Sequence, residues 1–257
     1  MNHRFLVIGE RCQDIFIYGS AKRLSPEAPV PVFVPQRTIN NEGMAKNVYH
    51  NLIALIDKGD EEVSISASIN SAEKIRYVDE KTNHYFLRVD NGDNAYDRIQ
   101  FDEILLDMID SADTIIISDY NKGFLKEEDI LKICHNARTK ATIFLDSKKI
   151  LTKGILQWVD YVKMNEKEYE INEENIGLVL YEYENKIIIT QGNKGASYKD
   201  ILYETDSVVT MDVSGAGDTF MASLAYKYSM SYDIVDSIKF ANQMSSEVVK
   251  KRGVSTI

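Results

Sequence analysis

A chain of 257 residues with a formal net charge of −10 is long enough for one large α/β domain with a substantial core. Its acidity sets aside a nucleic-acid or anionic-membrane surface as the main partner. The two cysteines, Cys12 and Cys134, fit neither a disulfide framework nor a zinc cluster, and no apolar run reaches membrane-spanning length, so a soluble, cytoplasmic protein is expected.

The first element is the apolar run Phe5-Leu6-Val7-Ile8, closed by Gly9-Glu10. It has the form of a buried parallel strand whose C-terminal end opens to a ligand crevice. Asp14, just beyond, is either a solvated turn carboxylate or a ligand contact. From Ile15 to Arg37 the pattern turns to short alternating segments holding Pro26, Pro29, Pro31 and Pro35, all four prolines of the chain. Such a stretch makes neither a helix nor a central strand and is expected as extended edge structure over a site. Residues 74–90 also alternate and are the expected pairing partner.

The segment Asn41-Glu42-Gly43-Met44-Ala45-Lys46-Asn47 leads into a helical run through Leu55, with Asn47 near its start as a cap or as a polar ligand contact. Residues 65–71 are small and polar, a weak strand at best. Three strand–loop–helix units follow. Thr114 to Asp119 leads to Tyr120 and a Lys122-Gly123 turn before a helix over residues 126–139. Ala141 to Leu145 leads to Asp146-Ser147-Lys148-Lys149, and Tyr161 to Met164 leads to Asn165-Glu166-Lys167-Glu168. A further strand, Lys186 to Thr190, ends at Gln191-Gly192-Asn193-Lys194-Gly195. In an open parallel sheet these polar strand ends converge on one crevice.

Residues 206–210 read as β-rich and Phe220 to Tyr228 as helix, so Asp212-Val213-Ser214-Gly215-Ala216-Gly217-Asp218 falls at a strand-to-helix junction. Two glycines there permit a sharp turn and leave N–H groups free at a helix N-terminus, which is an anion site. Asp218, in the first turn, is either a helix-capping carboxylate or a base for a hydroxyl proton. The last helix, over residues 234–251, carries Ala241, Met244, Ser245 and Val248 as a packing face. Lys250-Lys251-Arg252 is a solvated basic end suited to the helix dipole.

The glycine segment resembles the D-T-x-G-A-G-D signature of the ribokinase-like, or PfkB, sugar kinases. Asn165-x-x-Glu168 is similar to that family's N-x-x-E element, and Thr190-x-Gly192-x-x-Gly195 to its T-x-G-x-x-G loop. Within the family the heptose 7-phosphate kinases offer the nearest likeness: Tyr18-Gly19 with Arg23-Leu24-Ser25-Pro26-Glu27-Ala28-Pro29-Val30-Pro31-Val32, Ser118-Asp119-Tyr120-Asn121-Lys122-Gly123, Asp146-Ser147-Lys148 and the tail from Val248 to Thr256 all resemble segments of that group.

The resemblance implies a ribokinase-like three-layer α/β/α fold over residues 1–257 as a single kinase domain, with a mostly parallel central sheet and a small β lid built from about residues 15–37 and 74–90. It implies ATP and Mg2+ as cofactors and a sugar phosphate as substrate. Asp218 would be the catalytic base, with Gly215, Ala216 and Gly217 as the anion hole. Asp14, Asn47, Gly43, Lys122 and Lys148 would bind substrate, with Arg76 and Arg88 as further basic candidates. Thr190, Gly192, Gly195 and Asn242 would face the nucleotide, and Asn165 with Glu168 would meet magnesium through water or else cap a helix. A homodimer through the lid is implied, as is a separate nucleotidyltransferase if the pathway is ADP-heptose synthesis.

Three departures stand out. The family's glycine pair before the sugar-binding asparagine is reduced to Gly43, flanked by Glu42 and Met44. The stretch from Asn51 to Lys74 is short, so a helix and strand at one sheet edge are expected to be trimmed, and the nucleotidyltransferase half is expected to be absent. A kinase for another sugar and a non-catalytic binder of sugar phosphate or nucleotide are the rival readings.

Overall fold

Strand β1 (Arg4–Gly9) is buried from Phe5 onward and pairs in parallel on both sides, with β4 (Glu62–Ala67) and β7 (Thr114–Asp119). The computed structural model that places them describes residues 3–56, 61–93, 96–251 and 253–257; Arg252 of the basic run lies outside these. Three more parallel strands, β8 (Thr142–Ser147), β9 (Tyr161–Asn165) and β10 (Ile187–Thr190), extend the sheet. Antiparallel β11 (Ala196–Tyr198) and β12 (Ile201–Tyr203) finish it, in the order β12-β11-β10-β9-β8-β7-β1-β4.

The alternation of side chains along the strands builds two cores. Leu6, Ile8, Ile115, Ile117, Ile143 and Leu145 face one side, against helices α2 (Glu103–Ser111), α3 (Glu127–Asn136), α4 (Lys153–Trp158) and α5 (Glu166–Glu182). Phe5, Val7, Ile116 and Phe144 face the other, against α1 (Ala45–Leu55), α6 (Ala216–Ser231) and α7 (Ile234–Val248). Both faces are dry, which is why these strands read as continuous apolar runs. The expected three-layer α/β/α architecture is therefore present. Among the described residues no helix is long and apolar enough to cross a membrane.

Over one end of this sheet lies a second, four-stranded sheet, in the order β3-β2-β5-β6: β2 (Arg11–Leu24), β3 (Pro31–Met44), β5 (Ala72–Asp79) and β6 (Tyr85–Asn91). It is the expected lid but reaches further, because the β2–β3 ladder continues to the pairs Asp14↔Asn41, Cys12↔Gly43 and Arg11↔Met44. Asp14 and Gly43 thus belong to the lid sheet and not to the turns and loops around it. The prolines sit where a missing N–H is tolerated: Pro26 and Pro29 in the connecting loop, Pro31 at the first position of β3, and Pro35 opposite Gly19 beside a register shift.

Three expectations need correction. Residues 206–210 form no strand: the chain from β12 to α6 is irregular, Val209 is exposed, and the N–H groups of Met211 and Asp212 reach the Val249 carbonyl at 2.8 and 3.3 Å instead of a neighbouring strand. The edge expected to lose a helix and a strand keeps a strand, β4, whereas no helix stands between it and β5, residues 68–71 leading directly from one to the other. Asn47 does not cap α1; it is the third residue of the helix, which Met44 precedes at φ 58° with no side-chain cap.

Candidate active site

The start of α6 is set by Gly215, whose φ of 83° lies in the left-handed region. A Cβ at this position would also stand 2.6 Å from the Asn47 amide nitrogen, so the turn and the close approach of α1 both require glycine. Asn47 uses this proximity to donate to Asp218 Oδ2 at 3.0 Å, while the Tyr120 hydroxyl, delivered by the end of β7, donates to Asp218 Oδ1 at 2.8 Å. Asp218 is buried. Burial pushes its carboxyl above the ordinary aspartate value; the two hydrogen bonds and Lys163 work against that, and Asp146 adds to it. A buried carboxylate held by two donors, with its pKa raised, is matched to taking a proton from a hydroxyl.

Below the glycine turn the strand ends supply alternating charge. Lys163 of β9 is buried and its ammonium lies 2.6 Å from Asp146 Oδ2 of β8. Lys148 bridges the other oxygen of Asp146, at 3.4 Å, to Glu168. Burial works to raise the Asp146 carboxyl, but Lys163 and Lys148 outweigh it and hold it below the usual range. Burial likewise works to lower Lys148, and Asp146 and Glu168 instead hold its ammonium above the ordinary lysine value. A Cβ on Gly217 would come within 3.3 Å of the Lys163 ammonium. That positive group therefore sits directly under the turn, where it adds to the field of the helix N-terminus.

Asn165 and Glu168 form a reciprocal capping box at the start of α5: Asn165 Oδ1 accepts from the Glu168 N–H at 2.9 Å, and Glu168 Oε2 from the Asn165 N–H at 2.9 Å. The capping alternative for this pair is thus realised. Among the described residues no cluster of three or more His, Cys, Asp or Glu side chains is arranged to hold a metal. The donor set nevertheless fits magnesium carried on nucleotide phosphates, since that ion keeps most of its water and takes only one or two protein carboxylates.

A cavity of 980 Å3 joins most of these parts, with Asn47, Glu168, Asp14 and Gly43 outside its lining. Its lining includes Asp218, Gly215, Ala216, Gly217, Lys148 and Asn165, and also Thr190, Gly192, Gly195 and Asn242, all four residues expected on the nucleotide side. The irregular segment 205–213 contributes part of the wall. Asn242 of α7 donates to the Tyr203 carbonyl at 2.7 Å and so ties the wall to the last strand. Among the expected anion-hole groups, the Ala216 N–H also reaches the Val213 carbonyl, at 3.2 Å.

The lid residues meet the site differently. Asp14 is buried, with Oδ1 2.5 Å from Arg76 and Oδ2 3.4 Å from the Cys12 thiol. A Cβ on Gly43 would lie 2.0 Å from Asp14 Oδ2, so the one remaining glycine of the expected pair is the one that makes room for this carboxylate. Arg76 is spent on Asp14, and Arg88 is held by Asp90 at 2.8 and 2.9 Å. Lys122 pairs with Asp93 at 2.5 Å and is absent from the cavity lining. Neither Arg76, Arg88 nor Lys122 is thus brought into the cavity as a free cation. The lid tip fastens to the glycine segment: Tyr85 donates to Asp212 Oδ2 at 3.2 Å and Asn83 to the Met211 carbonyl at 2.8 Å.

Sequence reasoning overlooked Lys163 and the contact of Tyr120 with Asp218. A lysine inside the apolar strand Tyr161-Val162-Lys163-Met164 was the available signal, because a lysine is almost never buried unless paired. Nothing local marks Tyr120, whose role depends on a partner 98 positions away.

The family profile described as "pfkB family carbohydrate kinase" matches residues 61–257. The chain therefore belongs to the pfkB family of carbohydrate kinases, phosphotransferases that act on sugars. It is 27% identical, over 98% of its length, to the bifunctional protein HldE of Rhodopseudomonas palustris, and 28% identical, over 97%, to that of Helicobacter pylori. It spans 61% and 64% of the length of these two curated relatives. Its fold is similar to that of a Thermotoga maritima ribokinase (TM-score 0.72, 16% identity, covering 97% of this chain and 94% of that one). It is also similar to an Arabidopsis thaliana ribokinase complexed with ribose and ATP (TM-score 0.70, 14% identity, covering 98% and 94%).

Proposed function

We propose that this sugar kinase transfers the γ-phosphoryl group of ATP to the anomeric hydroxyl of D-glycero-D-manno-heptose 7-phosphate, giving the 1,7-bisphosphate. The observation that carries the phosphoryl-transfer reading is Asp218, buried beside the glycine turn and held by Asn47 and Tyr120. Similarity to HldE proteins along nearly the whole chain supports heptose 7-phosphate as acceptor.

In this mechanism Asp218 accepts the proton of the attacking hydroxyl as its oxygen bonds to the γ-phosphorus, and the bond from phosphorus to the β,γ-bridging oxygen breaks to release ADP. N–H groups of Gly215, Ala216 and Gly217, backed by Lys163, hold the charge that spreads over the transferring group. Thr190, Gly192, Gly195 and Asn242 line the nucleotide side. Magnesium bound to the nucleotide would neutralise phosphate charge, with Asn165 and Glu168 orienting its waters. Asp14 and Asn47 discriminate sugar hydroxyls, because a missing hydroxyl leaves a buried polar group unpaired. The lid excludes water from the reacting group.

In this reading two copies pair through their lid sheets, a contact supported by the exposed Val34, Phe86 and Leu87 of that sheet. A separate nucleotidyltransferase would then act on the product's descendants. The test is product identification by phosphorus NMR across heptose 7-phosphate, ribose, fructose 6-phosphate and an amino sugar. A new anomeric phosphate on the heptose alone supports the assignment. Transfer only to another sugar replaces the substrate and keeps the kinase, and binding without any transfer leaves a non-catalytic binder.

A further inference from the structure

Among the described residues, Lys74 is a cation of the lid sheet that lies close to the Tyr120 ring and forms no ion pair. Lys74 of β5 pairs in parallel register with Asp14 of β2, so the two side chains share a face of the lid. Its ammonium lies 5.3 Å from the centre of the Tyr120 ring, and that of Lys148 lies 5.4 Å from the same centre. The Tyr120 hydroxyl in turn touches Asp218. Lys74 is half-buried, yet among the described residues no carboxylate forms an ion pair with it.

The carboxylates opposite Lys74 in register, and Asp218 beyond Tyr120, already hydrogen-bond to other groups. Asp14 gives Oδ1 to Arg76 and Oδ2 to the Cys12 thiol. Asp90, opposite Lys74 on β6, gives both oxygens to Arg88. Asp218 gives both to Asn47 and Tyr120. A half-buried ammonium whose carboxylate neighbours in register are committed elsewhere is costly unless something else supplies the negative charge. It stands about one aromatic ring from the base, on the element that covers the acceptor.

We propose that Lys74, with Lys148 on the main sheet, receives a phosphate already present on the sugar substrate, and that this contact makes the enzyme select phosphorylated over neutral sugars. The inference rests on the sugar-kinase reading and deepens it. It also gives the lid a reason to close: the phosphate bridges a cation on the lid and a cation on the body, and so rewards the closed state only when the correct substrate is bound.

The test combines calorimetric binding with turnover, using D-glycero-D-manno-heptose 7-phosphate and the same heptose without phosphate, in wild type, Lys74→Met and Lys74→Arg. Lys74→Met is expected to weaken binding of the phosphorylated sugar by about ten- to a hundredfold, the scale of a lost charge-assisted contact, and to collapse the ratio of kcat/KM between the two sugars. Lys74→Arg is expected to keep most of that ratio and, being a conservative change, to report on the site even if the methionine variant folds poorly. Equal loss for both sugars, no loss, or an effect confined to the KM for ATP overturns the assignment. If wild type binds mannose 6-phosphate or fructose 6-phosphate through Lys74 but phosphorylates nothing, the kinase reading fails and the phosphate site stands. If it phosphorylates neutral sugars in preference to their phosphates, the site fails and the kinase stands.

Discussion

The Asn47 amide donates to the Asp218 carboxylate across 3.0 Å and 171 positions of sequence, which ties the helix that follows the lid strand to the helix that carries the proposed base. Lid position and base position are thereby linked through α1. Asp218 is raised above the ordinary aspartate value of 3.8 chiefly by burial. As the proposed base it must be ionised to act, so activity is expected to fall as pH falls through this raised pKa. Asn47 and Tyr120 favour the charged form. Asn47→Ala and Tyr120→Phe should each raise the pKa further and move the acid limb of the kcat/KM profile to higher pH. A pH profile of each variant checks this; an acid limb that stays in place contradicts it.

Gly43→Ala puts a methyl group where Asp14 Oδ2 now lies, at 2.0 Å, and near the Cys12 sulfur, at 2.6 Å. The carboxylate has to move, because the glycine backbone is fixed in the β2–β3 ladder. The KM for the sugar should rise by about tenfold or more, the scale of one displaced charged hydrogen bond, while the KM for ATP moves far less. Steady-state kinetics with each substrate varied in turn decides it.

Lys163→Met removes the main partner of a buried carboxylate. Breaking such a pair costs about 3–5 kcal/mol, and the loss should fall near the low end because Lys148 still lies 3.4 Å from Asp146. Adding Asp146→Asn should recover part of the loss by removing the stranded charge. Urea unfolding of the single and double variants measures both.

How much of this could be read from the sequence follows from the range of the interactions. The parallel strands were visible because strands buried on both faces leave continuous apolar runs, as Thr114 to Asp119 does. The glycine turn was visible because the left-handed Gly215 and the Asp218 behind it are adjacent in the chain. Residues 206–210 misled because β-branched Val208 and Val209 have strand propensity, whereas the segment lines the cavity and the Met211 and Asp212 that follow it are held by Val249. Lys163 and Tyr120 act through partners on other elements, Asp146 and Asp218, and sequence proximity carries no trace of those contacts. The basic residues singled out on the lid, Arg76 and Arg88, prove to be paired within it, and Lys74, two positions before Arg76 on β5 and opposite Asp90, was passed over.

Tyr85→Phe should loosen the lid tip by removing its bond to Asp212. One partly buried hydrogen bond contributes about 0.5–1.5 kcal/mol, so ATP hydrolysis without sugar should rise by about two- to tenfold. The rate of ADP release in the absence of sugar reports it directly, and an unchanged rate would show that the latch does not guard the site.

The most direct test of the account is magnesium-dependent phosphorylation of D-glycero-D-manno-heptose 7-phosphate by wild type and by Asp218→Asn. Asparagine keeps the size of the side chain and cannot accept the proton. The account predicts bisphosphate formation by wild type and a loss of kcat by about a hundredfold or more in the variant, the scale of general-base catalysis. A variant that transfers phosphate at close to the wild-type rate would contradict the assignment of Asp218 as the base.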